Sequence, residues 1–334
     1  MRVLFMLACF ALSVANASAQ PLRGTVEQRS FVDVPSGRTV LFNIYLPQGY
    51  ASGTQEYPTI YHLHGLGGSQ TGPQNTIIPR AFETAQTQGI IGPVIIVFPN
   101  GYTDAWWADS IGGDKPAETD VVDRLIPYVD AHFRTRADRG ARVIQGFSMG
   151  GFGATKFYSK FPELFSVCIE YDGALLPWES IQQSHAGLAA SIFGNDEEYF
   201  NQYSPFYWME ANAELLREGN AVRMLVGALV ERNESFRDYL VGLELPVEYV
   251  PTICEHNIAC LMAEQGVASA AFIAARLEVT CAADFDESGV VNSQDFFAFL
   301  GAFFIEAPLA DFNRSGAVDS QDFFDFVASF FAGC

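Results

Sequence analysis

The pentapeptide Gly146-Phe147-Ser148-Met149-Gly150 constrains the fold of this chain more than any other segment. It follows the apolar segment 141–145 and precedes a glycine-rich stretch with the composition of a helix start. Glycines on both sides of a serine let the backbone turn sharply from a strand into a helix, so that the hydroxyl stands above the end of the strand. The pattern predicts that Ser148 is a nucleophile, and the alternative interpretation is an ordinary glycine-rich turn.

Residues 20–280 alternate between apolar strand segments and helical segments. Residues 95–98 are all apolar, as expected for a strand covered on both faces, and 120–133 carry apolar residues at helical spacing. The alternation predicts an α/β fold with a mostly parallel central sheet, in which sites lie at the carboxyl ends of strands. The aromatic-rich segment 174–218 interrupts the alternation and predicts a short cap. The predicted strands are 38–46, 59–63, 94–98, 141–145, 165–170, 223–226 and 247–250.

A second glycine-rich segment is Tyr-His-Leu-His-Gly-Leu-Gly-Gly at 61–68, which spans the end of the predicted strand 59–63 and the loop that directly follows it. In this place a backbone N–H can face the oxyanion that forms when a nucleophile attacks a carbonyl. The expected donors are the N–H groups of Leu66 and Met149. His64 is expected to brace the loop and His62 to be packed, while a purely structural turn is the alternative.

A serine nucleophile needs a base, and only two histidines follow Ser148. His185 lies in the predicted cap, whereas His256 comes just after the last predicted strand, so His256 is predicted as the general base. The third member of a triad is a carboxylate. Glu231, after the strand 223–226, is preferred, and the alternative role for its side chain is an ion pair with Arg232 or Arg237. Asp172, one strand earlier, is the alternative acid.

Because it contains these residues, the segment 24–278 resembles the esterase D and feruloyl-esterase branch of the α/β-hydrolase family. The resemblance implies the α/β-hydrolase fold and ester hydrolysis through an acyl-enzyme. One departure concerns the acid, because relatives commonly carry Gly-x-x-Asp where this chain has Val230. The further matching segments are Phe98-Pro99-Asn100-Gly101, Leu125-Ile126-Pro127-Tyr128-Val129, Phe133-Arg134-Thr135, Ser204-Pro205 and Cys254-Glu255-His256.

The first 19 residues have the pattern of a secretory signal peptide. One arginine precedes a short apolar stretch and the sequence Ala17-Ser18-Ala19, and cleavage is expected after Ala19. The stretch is too short to span a bilayer, and no other segment predicts a transmembrane helix. We therefore expect a secreted, extracellular or cell-surface protein whose catalytic domain occupies residues 20–280.

The formal net charge of −20 argues against nucleic acid as a partner, because phosphate binding needs clustered lysine and arginine. Export makes disulfides plausible. Cys254 and Cys260 bracket a short loop and Cys281 and Cys334 bracket the C-terminal segment, but sequence does not determine connectivity. Cys168, in an apolar run, is the expected free and unreactive thiol.

Residues 281–334 form a distinct segment that contains a repeat with a period of 27 residues. Each copy spaces oxygen-bearing side chains as a twelve-residue Ca²⁺ loop does, with glycine at the tight turn. The alternative is an acidic tail that binds nothing. The first predicted ligand set is Asp284, Asp286, Ser288, the Val290 carbonyl, Asn292 and Asp295. The second predicted ligand set is Asp311, Asn313, Ser315, the Ala317 carbonyl, Asp319 and Asp322.

Two such loops, each followed by a phenylalanine-rich helix, and the final Gly-Cys resemble a dockerin module. The resemblance implies a small α-helical domain at 281–334 with structural Ca²⁺ and attachment to a cohesin-like or cell-surface partner. Most of the phenylalanines are expected to form the core of a two-helix unit.

The leading functional hypothesis is a secreted serine carboxylesterase that acts on acyl or feruloyl esters of a polysaccharide and needs no cofactor for catalysis. A small-molecule esterase or acyltransferase would use the same acyl-enzyme. A third hypothesis is a catalytically idle binding protein that keeps the fold without a competent acid.

Overall fold

A computed structural model describes residues 21–217, 221–277, 283–286, 291–313 and 315–332 of the 334-residue chain. The predicted signal peptide, the predicted boundary near residue 280, and both Cys281 and Cys334 lie outside the described residues.

One sheet of eight strands organises the larger part of the chain. The strands are β1 (Thr25–Asp33), β2 (Arg38–Leu46), β3 (Thr59–Leu63), β4 (Ile95–Pro99), β5 (Arg142–Phe147), β6 (Val167–Tyr171), β7 (Ala221–Val226) and β8 (Val247–Pro251). Their order is β1-β2-β4-β3-β5-β6-β7-β8. The pairs β1–β2 and β2–β4 are antiparallel and all later neighbours are parallel, which confirms the predicted mostly parallel α/β sheet.

Helices follow most of the strands, as the alternation predicts. They are α1 (Gln74–Thr87), α2 (Ala117–Thr119), α3 (Ile126–His132), α4 (Met149–Lys160), α5 (Trp178–Ser184), α6 (Ala186–Ser191), α7 (Glu197–Asn201), α8 (Pro205–Ala211), α9 (Ala213–Arg217), α10 (Val230–Gly242), α11 (Ile258–Ala274), α12 (Ser293–Phe304) and α13 (Ser320–Ala332). Across the described ranges, no helix has the length and apolarity that crossing a bilayer requires.

The two faces of the sheet bury separate apolar clusters, because successive residues of a strand point to opposite faces. In β3, Ile60 belongs to the cluster that contains Phe82 of α1 and Leu261 of α11. Its neighbour Tyr61 belongs to the other cluster, with Phe152 of α4. All five residues of β3 are buried, so the carboxyl end of this strand is held firmly beneath the loop that follows it.

The predicted cap segment folds into the five short helices α5 to α9. Within it, Phe193 and Phe200 pack edge to face with their ring centroids 5.1 Å apart. The Ile111 N–H donates to the Ile192 carbonyl at 2.8 Å, and the Tyr199 hydroxyl donates to the Asp109 carbonyl at 3.0 Å. These bonds fasten the segment to the loop that follows β4.

In the C-terminal part, α12 and α13 pack through equivalent residues of the two repeat copies. The rings of Phe299 and Phe326, 27 positions apart, stack with centroids 4.0 Å apart and planes 5° from parallel. Both side chains are buried, as predicted for most phenylalanines of this segment. Four phenylalanines are instead exposed, and they are Phe297, Phe304, Phe324 and Phe331.

Candidate active site

Ser148 lies at the sharp turn between β5 and α4, with φ 58° and ψ −117°. A non-glycine residue rarely adopts a positive φ, so the turn carries strain that the surrounding structure must hold. Glycine is required on both sides for steric reasons. A Cβ at Gly146 would overlap the Gly150 carbonyl, and a Cβ at Gly150 would overlap the Leu63 carbonyl. The pentapeptide therefore places the serine hydroxyl above the carboxyl end of the sheet.

His256 lies in the loop between β8 and α11, and its imidazole reaches the serine. The distance between His256 Nε2 and Ser148 Oγ is 2.9 Å, and that between His256 Nδ1 and Asp172 Oδ2 is 2.6 Å. When Nδ1–H donates to the carboxylate, Nε2 is free to accept the proton of the hydroxyl. The structure thus brings together the predicted serine, the predicted histidine and the alternative acid.

Asp172 follows β6 directly, and its side chain is buried. Its carboxylate accepts hydrogen bonds from the backbone N–H groups of Gly227, Ala228 and Leu229 at 2.9 to 3.1 Å. Burial alone would raise the pKa of Asp172, but the His256 bond and these three N–H groups together hold the pKa below its usual value. The carboxylate therefore stays ionised and can stabilise a protonated imidazole.

The prediction of Glu231 as the acid is wrong. Glu231 lies in the first turn of α10 and is exposed, and its backbone carbonyl accepts a bond from the Ser235 hydroxyl. The backbone just after β7 does not supply a carboxylate to the histidine. It supplies instead the N–H groups that hold Asp172, which comes from the neighbouring strand β6.

The loop after β3 lies against Ser148, as the predicted oxyanion role of this loop requires. A Cβ at Gly65 would lie 3.2 Å from the Ser148 Cβ. The hydrogen bonds recorded for the described residues include no protein acceptor for the N–H of Leu66 or of Met149. Met149 is the first residue of α4, where backbone N–H groups have no partner within the helix. Both N–H groups are therefore available to an anion beside Ser148.

His62, within β3, and His64, in the loop that follows it, both lie in environments that suit a structural role. The His64 ring lies between the carbonyl oxygens of Gly65 and Asn100, and burial lowers its pKa. His62 is buried in the sheet, where burial lowers its pKa to about 3. Neither imidazole contacts Ser148 in the recorded bonds, in agreement with the predicted bracing and packing roles.

A buried lysine behind the oxyanion loop was not anticipated from the sequence. Lys156 on α4 donates to the Trp107 carbonyl at 2.7 Å and pairs with Glu118 at 2.5 Å. The Trp107 indole N–H in turn donates to the His64 carbonyl at 3.1 Å. Burial lowers the Lys156 pKa to about 8, although Glu118 opposes this shift. A lysine inside an otherwise apolar helix was the available sequence signal.

The loop that carries His256 is closed by a disulfide between Cys254 and Cys260. This is one of the two pairings that the sequence left open. Cys168 is free and buried, as predicted. Burial raises its pKa, so the thiol is protonated and unreactive.

A family model described as "Putative esterase" matches residues 35–225. Two curated relatives are similar over part of their length. Esterase Rv1288 of Mycobacterium tuberculosis is 33% identical over 139 residues, which cover 39% of this chain and 28% of that protein. An endo-1,4-beta-xylanase/feruloyl esterase of Xylanibacter ruminicola is 34% identical over 149 residues, which cover 42% of this chain and 20% of that protein. The aligned part of this chain thus corresponds to less than a third of either relative.

Solved structures share the fold. A ferulic acid esterase covers 75% of this chain and 98% of its own, with a TM-score of 0.64 and 19% identity. An S-formylglutathione hydrolase from Agrobacterium tumefaciens covers 77% and 97%, with a TM-score of 0.64 and 17% identity.

Proposed function

This chain belongs to the esterase family whose model matches residues 35–225, and from that premise we propose that it is a serine carboxylesterase that works through an acyl-enzyme. The observation that carries the proposal is the continuous hydrogen-bonded arrangement of Ser148, His256 and Asp172, with bonds of 2.9 and 2.6 Å.

In acylation, Ser148 Oγ attacks the carbonyl carbon of the ester while His256 Nε2 takes the hydroxyl proton. The carbonyl oxygen becomes an oxyanion, which accepts hydrogen bonds from the Leu66 and Met149 N–H groups. Asp172 stabilises the imidazolium. The tetrahedral intermediate then breaks its bond to the alcohol oxygen, and His256 returns the proton to this leaving group.

In deacylation, water takes the place of the alcohol. His256 Nε2 removes a proton from the water, whose oxygen attacks the acyl carbon attached to Ser148 Oγ. The second tetrahedral intermediate breaks the bond to Ser148, and His256 protonates the serine oxygen. The carboxylic acid leaves and the resting enzyme is restored.

For the substrate, we propose acyl or feruloyl esters of a polysaccharide. Support comes from the relative whose name joins a xylanase to a feruloyl esterase and from the shared fold of a ferulic acid esterase. The shared fold of an S-formylglutathione hydrolase keeps a small-molecule ester as the second candidate. An idle binding protein is disfavoured, because the three side chains are assembled.

For the C-terminal part, we propose structural Ca²⁺ and attachment to a cohesin-like or cell-surface partner. The carboxylates of Asp284, Asp286 and Asp295 each offer an oxygen within 4.8 Å of the others, a donor set that suits a hard cation. In the second loop, the Asp311 carboxylate accepts hydrogen bonds from the backbone N–H groups of Ser315 and Gly316, so the backbone turns around this carboxylate. Ser288 and Val290 lie outside the described residues. Secretion after removal of residues 1–19 belongs to the same proposal.

The decisive experiment compares the wild type with Ser148→Ala. We expect a fluorophosphonate to label the wild type and p-nitrophenyl acetate to be hydrolysed with a burst, whereas the variant shows neither. Circular dichroism would verify that the variant is folded. Absence of labelling in the wild type, or equal labelling of both proteins, would refute the enzymatic assignment.

A further inference from the structure

Arg232 lies in the first turn of α10, in a chain with 39 acidic and 19 basic residues. Within the part of the chain that the structure describes, its guanidinium makes no recorded hydrogen bond or ion pair. Arg237, on the same helix, pairs with Asp238 at 2.8 Å. A half-buried arginine that the chain itself leaves unpaired is available to bind an anion from outside.

Arg232 lines an open groove of about 440 Å³. One wall consists of the segment after β6, including Leu175, together with Ser180 and Gln183 of α5, and Phe206 of the cap contributes an apolar side. The serine hydroxyl and the glutamine amide can both donate hydrogen bonds. The groove therefore combines a positive charge, neutral donors and apolar surface, and the Glu231 carboxylate also lines it. Glu231 is exposed whereas Arg232 is half-buried, so solvent screens the carboxylate more strongly than the guanidinium.

Both walls of the groove continue from segments that build the triad. The Ala174 N–H donates to the Ser148 carbonyl at 2.8 Å, and Leu175 is the next residue. On the opposite side, α10 begins directly after Leu229, whose backbone N–H donates to the Asp172 carboxylate at 3.0 Å. The groove is therefore built on the same two segments that hold Ser148 and Asp172 in place.

We propose that this groove is an anion subsite in which Arg232 binds a carboxylate of the ester substrate. The proposal rests on the proposed esterase function and narrows its substrate class to esters that carry a free carboxylate. The carboxylate can belong to the acyl part, as in a half-ester of a dicarboxylic acid, or to the alcohol part, as in a uronic acid unit of a polysaccharide. The planar guanidinium suits both, because it can donate two parallel hydrogen bonds to one carboxylate.

The test measures kcat/KM for matched acidic and neutral esters with the wild type, Arg232→Gln and the control Arg237→Gln. The acyl arm uses the mono-p-nitrophenyl ester of glutaric acid and its methyl-capped form. The alcohol arm uses acetylated methyl glycosides of glucuronic acid and of glucose. In at least one arm we expect Arg232→Gln to lower the acidic-to-neutral ratio by about ten- to hundredfold, mainly through KM.

Arg237→Gln should leave this ratio unchanged, and added salt should lower the ratio of the wild type because ions screen the charge pair. An unchanged ratio for Arg232→Gln in both arms would overturn the subsite while leaving the esterase intact. If the wild type and Ser148→Ala are equally inactive on every ester, the proposed function fails instead.

Discussion

At the scale of single residues, Asp172 and Glu231 give the sharpest comparison. Asp172→Asn should lower kcat on p-nitrophenyl acetate by about 10³–10⁴-fold, because the amide no longer holds the imidazole in the orientation and charge state that proton transfer needs. Glu231→Gln is the matched control and should change kcat by less than about twofold, because its side chain is exposed and His256 Nδ1 is bonded to Asp172 instead. A large loss in the Glu231 variant would contradict the assignment of the acid.

The ionised carboxylate of Asp172 also leads to a prediction of how the stability of the protein depends on pH. Burial would raise the pKa of the Asp172 carboxyl, but the hydrogen bonds from His256 and from three backbone N–H groups hold this pKa below the usual value in the folded protein. Its stabilising contribution is therefore present above the pKa of the unfolded chain and is lost as the pH falls through the folded pKa. We expect the wild type to exceed Asp172→Asn in Tm at about pH 6 and this difference to shrink at about pH 3. A difference that does not depend on pH would contradict the role of the ionised carboxylate.

The sequence was sufficient to predict Ser148 and His256, because each follows a strand and the chain order leaves few alternatives. It was not sufficient for the acid. The choice between Asp172 and Glu231 depends on which of the two loops donates its backbone N–H groups to the carboxylate on the other loop. The left-handed backbone of Asp172, with φ 47°, has no signature in the residue types. Whether Arg232 forms an ion pair likewise depends on how the described residues fold around it, and the residue types alone do not predict this.

At the scale of elements, the loop between β8 and α11, which carries His256, depends on the disulfide between Cys254 and Cys260. Cys254 is buried and Thr252 donates to the Val226 carbonyl, but Ile253 between them is 95% exposed, and the His256 ring packs on Phe147 with centroids 4.6 Å apart. Replacement of both Cys254 and Cys260 by serine should lower kcat/KM by about ten- to hundredfold, because small displacements of a base slow proton transfer. The same loss should follow reduction by dithiothreitol, with a chelator present so that freed thiols bind no metal.

The matched control for the disulfide is Cys168→Ser, whose thiol is buried and free. Dithiothreitol should slow the Cys168 variant as much as the wild type and should leave the double serine variant unaffected. Equal activity of the oxidised and reduced wild type, with reduction verified by mass spectrometry, would show that the link does not position the histidine.

Apolar segments made most elements predictable, and β3 has the predicted bounds. Strand β1 was missed because it lies at the edge of the sheet and no residue in it is fully buried, so it lacks a strong apolar pattern. The helix predicted over 120–133 is divided. A π-helical turn at Asp120–Leu125 precedes α3, where Pro127 cannot donate the backbone hydrogen bond of a regular helix.

At the scale of the whole molecule, Ca²⁺ is expected to stabilise the C-terminal part without affecting hydrolysis. Addition of Ca²⁺ to the chelator-treated protein should raise the Tm of one transition by about 5–10 °C, because a ligand that binds only the folded state stabilises it. Asp295→Asn together with Asp322→Asn should abolish this shift while hydrolysis of p-nitrophenyl acetate is retained. Absence of a thermal shift in the wild type would remove the Ca²⁺ assignment.

The bond from Lys156 to the Trp107 carbonyl has a mechanical consequence. It joins the helix that begins just after Ser148 to the tryptophan whose indole N–H donates to the His64 carbonyl, so Lys156 and Trp107 link the proposed nucleophile to the proposed oxyanion loop. We expect the two segments to fluctuate together, so that their separation varies less than the position of either. An acyl group that enters the site meets a separation fixed before it arrives.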